Sequence, residues 1–191
     1  MDRSLMMICT GLAAIPLLAA CHSTEPASAK ASAPALARTA AGRPAIRLSN
    51  AAPSIDTLVD QFLDALAAKD FNALEQLRVT ETEYRTFILP GSVPPGEWPK
   101  EYPPTPSVYY WDIMNTKSMY SLRSLLGSYG GQHYRRKAVS FGKGTQDYAW
   151  YKAYKKVHVA VEDDQGQESE IDTGSIAEVD GQYKFISFLP K

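Results

Sequence analysis

Proton-transfer chemistry needs a base near working pH and a donor for a developing oxyanion, and the chain offers Asp112, His133, His158 and eleven tyrosines as parts. His158 lies in Val157-His158-Val159-Ala160-Val161, where strand alternation puts the three valines on one face and the histidine on the other. With the valines turned to a core, His158 points away from any pocket. Counted back without a bulge, the His158 face carries Lys156, Tyr154, Lys152, Trp150 and Tyr148, an aromatic and basic stripe. Such a face serves two ends. It can be covered, in a homodimer or by the chain itself, or it can meet an external partner such as an envelope protein or cell-wall glycan, since aromatic rings and lysines supply stacking and charge together.

Other chemical patterns fail on spacing. Gly142-Lys143-Gly144-Thr145 is too short for a phosphate-binding loop and falls between β-rich runs, so it reads as a turn. No Gly-x-Ser-x-Gly elbow is present. Three histidines, His22, His133 and His158, form no metal-ligand spacing, and no cofactor motif occurs. The catalytic set is therefore empty at this level, with no metal and no cofactor expected.

The amino-terminal segment has its own logic. A short charged start (Asp2, Arg3), an apolar run from about Leu5 to Ala20 and small residues at its close form a secretory signal. A spanning helix needs ~20 predominantly apolar residues, and this run is interrupted by Thr10, Gly11 and Pro16. Leu18-Ala19-Ala20-Cys21 resembles the bacterial lipobox. That resemblance implies cleavage after residue 20, diacylation of the Cys21 thiol and a membrane partner reached through the lipid anchor. Two or more chains anchor stably at ~0.8 kcal/mol per buried methylene. His22 rather than Asp at the second mature position resembles cargo sent to the outer membrane, facing the periplasm.

Residues 21–53 then read as a lipidated cysteine and a disordered tether. The stretch 22–53 holds eleven Ala and four Pro, with Lys30, Arg38, Arg43 and Arg47 against the single acid Glu25 and no aromatic residue. It lacks the apolar surface to offset its ordering entropy. The signal segment carries one acid and one base, so the whole-chain charge of -1, less the +3 of the tether, leaves -4 on residues 54–191. An acidic domain without a basic footprint argues against nucleic acid as a partner.

Residues 54–191 have the length of one domain. Ile55, Leu58, Val59, Phe62, Leu63 and Leu66 recur at helical spacing behind Ser54 as N-cap. A second short helix is expected over 70–77, and Thr80 with Glu83 has capping-box spacing before a third that Pro90 ends. Residues 90–111 concentrate seven of the thirteen prolines with Trp98, Tyr102, Tyr109, Tyr110 and Trp111. Pro94-Pro95 and Pro103-Pro104-Thr105-Pro106 are expected to be extended, with the aromatics either covering the core or facing a ligand. A helix over 112–126 follows, then strands over 136–141, 148–161, 168–179 and 182–189, the last two joined by Asp180-Gly181, a strong hairpin signal. Helices first and antiparallel strands last make an α+β domain.

The amphipathic first helix, the Ala68 to Phe71 break before the second, and the closing run Gly174-Ser175-Ile176-Ala177-Glu178-Val179-Asp180-Gly181-Gln182-Tyr183-Lys184-Phe185-Ile186-Ser187-Phe188 resemble the nuclear transport factor two-like superfamily. The resemblance covers about residues 54–75 and 148–189. It implies amino-terminal helices packed on a curved, cone-shaped antiparallel sheet around an apolar pocket, used by some members for isomerase, dehydratase or cyclase chemistry and by many for binding alone. No residue here matches a family catalytic position. The expected function is an envelope lipoprotein with a non-catalytic binding or assembly domain, the alternative being an enzyme that uses the same pocket.

Overall fold

The computed structural model describes residues 46–189. The signal segment, Cys21 and the tether as far as residue 45 lie outside the described residues.

Local signals set the first elements. Helix α1 (Ile55–Ala67) starts where the Ser54 hydroxyl accepts from the Thr57 N–H, and α2 (Phe71–Gln76) starts where the Asp70 carboxylate accepts from Ala73 N–H. Between them Lys69 takes a left-handed conformation at φ 53°, and Asp70 N–H returns to Ala65 O. Thr80 and Glu83 close the expected capping box at α3 (Glu81–Glu83). The helix does not stop before Pro90. It widens into a π-helical turn over Tyr84–Ile88, with Leu89 N–H bonded to Tyr84 O, and runs through α4 (Leu89–Gly91).

The proline-rich segment corrects a larger expectation. Pro103 is extended, but Pro104 and Pro106 lie in the first turn of α5 (Pro104–Tyr129), a 26-residue helix. First-turn residues have no intrahelical acceptor for their N–H, so proline costs nothing there and its fixed φ favours the start. Tyr109, Tyr110 and Trp111 are thereby helical rather than part of a loop.

Seven strands follow: β1 (Tyr134–Phe141), β2 (Thr145–Asp147), β3 (Lys152–Lys155), β4 (Val157–Asp163), β5 (Glu168–Asp172), β6 (Ser175–Val179) and β7 (Gln182–Ser187). All the strand pairs are antiparallel, in the orders β1-β4-β5 and β2-β3-β6-β7. The expected strand over 148–161 is broken at Lys156, which sits at φ 53°, and the expected strand over 168–179 is broken at Thr173 and Gly174. Backbone bonds cross both breaks: Gly142 N–H to Lys156 O, Val157 N–H to Gly174 O and Thr173 N–H to Val157 O. The two sheets are thus joined through a sharp bend. Gly174 is required at that bend, because a Cβ there would lie 1.7 Å from Ser187 O. Asp180 and Gly181, at φ 52° and 73°, form the expected tight turn.

Two apolar clusters cover the faces of the four-stranded part. The larger joins α1, α2 and α5 to both sheets around Phe62, Phe185 and Phe188, whose rings lie 4.7 to 5.7 Å apart. The smaller packs Leu48, Val79, Phe87 and Ile88 on Tyr151, Ala153, Ala177 and Val179. Leu48 and Ala52 are therefore core residues. Ala52 exchanges two backbone bonds with Tyr183, and Leu48 N–H donates to Gln182 Oε1. The packed domain starts no later than residue 46, which shortens the tether expected to reach residue 53.

Candidate functional site

The side chains expected to form one stripe are dispersed by the bend. Lys156 in the left-handed conformation inverts strand alternation: Tyr154 packs with Val157, Val159 and Val161 on the larger cluster, while Ala153 faces the smaller one. Tyr148 and Trp150 precede β3 and pack on the smaller cluster, Tyr148 stacked 4.8 Å from Tyr151 and Trp150 5.4 Å from Phe87 and over Gly91. Lys152 lies 3.8 Å from Asp147. His158, on the other face of the three-stranded part, meets the Asp172 and Glu170 carboxylates, the latter at 3.2 Å. These three offer one nitrogen and two carboxylates within 4.8 Å of one another, a divalent-ion geometry in outline. Strand pairing, rather than sequence spacing, assembles it. Neither His133 nor Asp112 is buried.

Exposed aromatic area lies elsewhere. Tyr109, Ile113 and Tyr120 form a helical stripe on the outside of α5, with Tyr110 beside it, and Trp98 is exposed in the segment before the helix. The long helix carries this surface, so reading residues 90–111 as a loop hid it.

The most concentrated polar chemistry surrounds Arg78. Arg78 forms a single parallel bridge to the free edge of β7, with Val79 N–H on Phe185 O and Phe185 N–H on Leu77 O. Its neighbours on that edge bring Lys184 alongside. Lys184 is 1% exposed and pairs with Glu83 at 3.1 Å, and its ammonium also reaches Ser49 Oγ at 3.4 Å. Glu83 accepts from Ser49 N–H, Ser49 Oγ and Thr80 N–H as well. Burial opposes its ionisation, but those donors and the Lys184 ammonium outweigh burial and hold the carboxyl below its ordinary range. Lys184 moves down because burial outweighs the attraction of Glu83. This pair is closed and fully engaged.

Arg78 is not. It is 3% exposed, and its Nη2 donates to Asn115 Oδ1 on α5, yet Nε and Nη1 are buried without a partner among the described residues. The Trp111 ring lies 5.1 Å from the guanidinium carbon and is tilted against Tyr84 at 5.7 Å. Burial pushes the guanidinium below the usual arginine range, opposed by Glu75 acting through space. Arg78, Trp111 and Lys184 line a cleft of about 450 Å³ that Asn72, Gln76 and Thr80 complete. Native structures rarely leave buried donors unpaired. Sequence reasoning missed this site because its parts come from four separated segments. The available signal was a charged side chain set directly between two apolar ones, Leu77 and Val79.

No family model matches the chain, and neither a curated protein nor a solved structure shows significant similarity to it.

Proposed function

We propose that the chain is a lipid-anchored envelope protein, held through Cys21 to the periplasmic side of a bacterial outer membrane, whose nuclear transport factor two-like domain binds a partner rather than catalysing a reaction. One observation supports binding above chemistry. Phe62, Phe185 and Phe188 fill the space between α1 and the bent sheet, and the polar cleft opens instead at Arg78. A ligand-recognition surface needs convergent polar groups in a concavity, and that cleft has them.

Glu178 favours the enzyme alternative. Its carboxylate accepts from the Tyr154 hydroxyl beside Tyr183, an acid and hydroxyl pair of the kind proton transfer uses. Burial and then Glu178 push the Tyr154 phenol up. The pair is only half-buried, which leaves it solvated and without the water exclusion that sharpens such chemistry.

Membrane fractionation with a labelled fatty acid, comparing wild type with Cys21→Ser, tests the anchor; equal label in both proteins overturns it. Co-sedimentation of the full chain with purified cell-wall sacculi, with sedimentation equilibrium for self-association, tests the binding role. Retention or dimerisation is expected. A monomer that ignores the cell wall and takes no ligand in the Arg78 cleft overturns it.

A further inference from the structure

A buried guanidinium with spare donors, set in an open cleft, is half of a recognition pair. Ordinary structural arginines at such depth have their donors paired. Here Asn115 holds one nitrogen in place, which fixes the side chain without neutralising it. Two nitrogens remain without a partner among the described residues.

Charge decides what completes the pair. Among the cleft residues, Lys184 is already neutralised by Glu83, and Glu81 by Arg85 at 2.7 Å. That leaves Arg78, with Glu75 exposed beside it. One buried positive charge with an acid nearby suits a monoanion. A phosphate dianion would need a second free cation and would face Glu75 uncompensated. The Trp111 indole, with the guanidinium over its ring and 8% of its surface exposed, lines the same cleft and gives the body of a ligand an apolar neighbour.

We infer that this cleft captures the carboxylate of a small molecule or of a peptide terminus, the carboxylate accepting from the spare Arg78 donors while the rest of the ligand lies along Trp111. The inference rests on the binding reading above and names the ligand class for it. Nε and Nη1 are out of solvent contact in the unliganded chain, so capture includes a shift of a neighbouring side chain. Trp111, over the guanidinium, reports that shift through its fluorescence.

The test titrates the full chain with sodium benzoate and N-acetyl-alanyl-alanine, the two sources of a carboxylate, against benzamide and N-acetyl-alanyl-alaninamide, which lack it, and inorganic phosphate. Calorimetry and indole fluorescence are read together. At least one carboxylate is expected to bind ten-fold or more tightly than its amide and than phosphate, and the source that binds better identifies the ligand type. Arg78→Met is expected to weaken binding at least ten-fold, while Arg78→Lys, which keeps the charge but not the planar donors, weakens it less. Trp111→Phe is expected to remove the fluorescence change, which assigns that signal to the cleft indole. Equal binding of acid and amide, tighter binding of phosphate, undiminished binding by a folded Arg78→Met or by Arg78→Lys and Met alike, or no heat from either carboxylate overturns the inference. Retention on sacculi with no carboxylate binding would overturn this inference alone and leave the binding role standing.

Discussion

Replacing Lys184 with methionine isolates one charge in the interior. The side chain is 1% exposed and its partner Glu83 has 8% of its own side chain exposed, at 3.1 Å. Methionine fills much of the same volume, so the loss is chiefly electrostatic: a carboxylate remains, bonded to Ser49 and Thr80 but without its cation. Breaking a buried pair by removing one partner costs ~3 to 5 kcal/mol. At ~2 to 4 °C per kcal/mol for a domain of this size, the midpoint should fall by roughly 6 to 20 °C. Adding Glu83→Gln removes the stranded charge; its single amide oxygen still accepts from the Ser49 N–H, while the Thr80 N–H, which the second carboxylate oxygen had accepted, loses that acceptor. The double variant should therefore recover ~2 kcal/mol relative to the sum of the single losses, a coupling well above the ~0.5 kcal/mol scatter of independent sites. Urea unfolding of the four proteins at pH 7 measures it. Additive losses, or a neutral Lys184→Met, would refute the claim that the two charges depend on each other.

Glu83 also sets an acid limb. Its folded pKa lies below its unfolded value of ~4.3, so its stabilisation is complete above that pH and is lost as pH falls through the folded value; Glu83→Gln should flatten denaturation midpoints between about pH 5 and pH 2 relative to wild type. Trp150→Ala should cost ~3 kcal/mol, because the ring packs on Phe87 rather than facing solvent, and Gly91→Ala should cost ~1 to 3 kcal/mol by pressing a methyl within 2.8 Å of Trp150 Cβ; both are read by chemical denaturation. Tyr109→Ser and Tyr120→Ser, at exposed positions, should shift stability by less than ~0.5 kcal/mol. A chain beginning at Ser54 should lose ~3 to 5 kcal/mol, from the burial of Leu48 and the Ala52 and Leu48 hydrogen bonds; an unchanged melting temperature would show those contacts to be idle.

Features that a few neighbouring residues decide were legible in the sequence. Ser54 and the Thr80 and Glu83 pair cap helices where their hydroxyl and carboxyl chemistry predicts, and Asp180-Gly181 turns where positive φ is needed, whereas Asp70, expected within the second helix, caps it instead. Proline was legible only in part. Its penalty falls on helix interiors, so Pro104 and Pro106 begin a helix despite their density. Lys156 gave no warning, since lysine does not favour the left-handed region, and that one residue rotates every side chain before it relative to His158. The Arg78 cleft depends on contacts between remote segments. Burial, which turns an ordinary arginine into a candidate site, is a property of the assembled fold.

The two single-residue bridges on β7 have a consequence for the order of folding. Ala52 and Arg78 cover the outer edge of the last strand, so the hydrogen-bonding row through which such sheets aggregate is occupied from within. Closing it joins positions far apart in the chain, 134 residues for Leu48 and Gln182 and 101 for Glu83 and Lys184. Loop-closure entropy makes contacts of that separation slow to form. A nascent chain that has completed its helices and β1 to β6 still exposes the edge of β6 and leaves Glu83 without its cation. Until residues 182–187 are in place, that edge is therefore open to pairing with another chain.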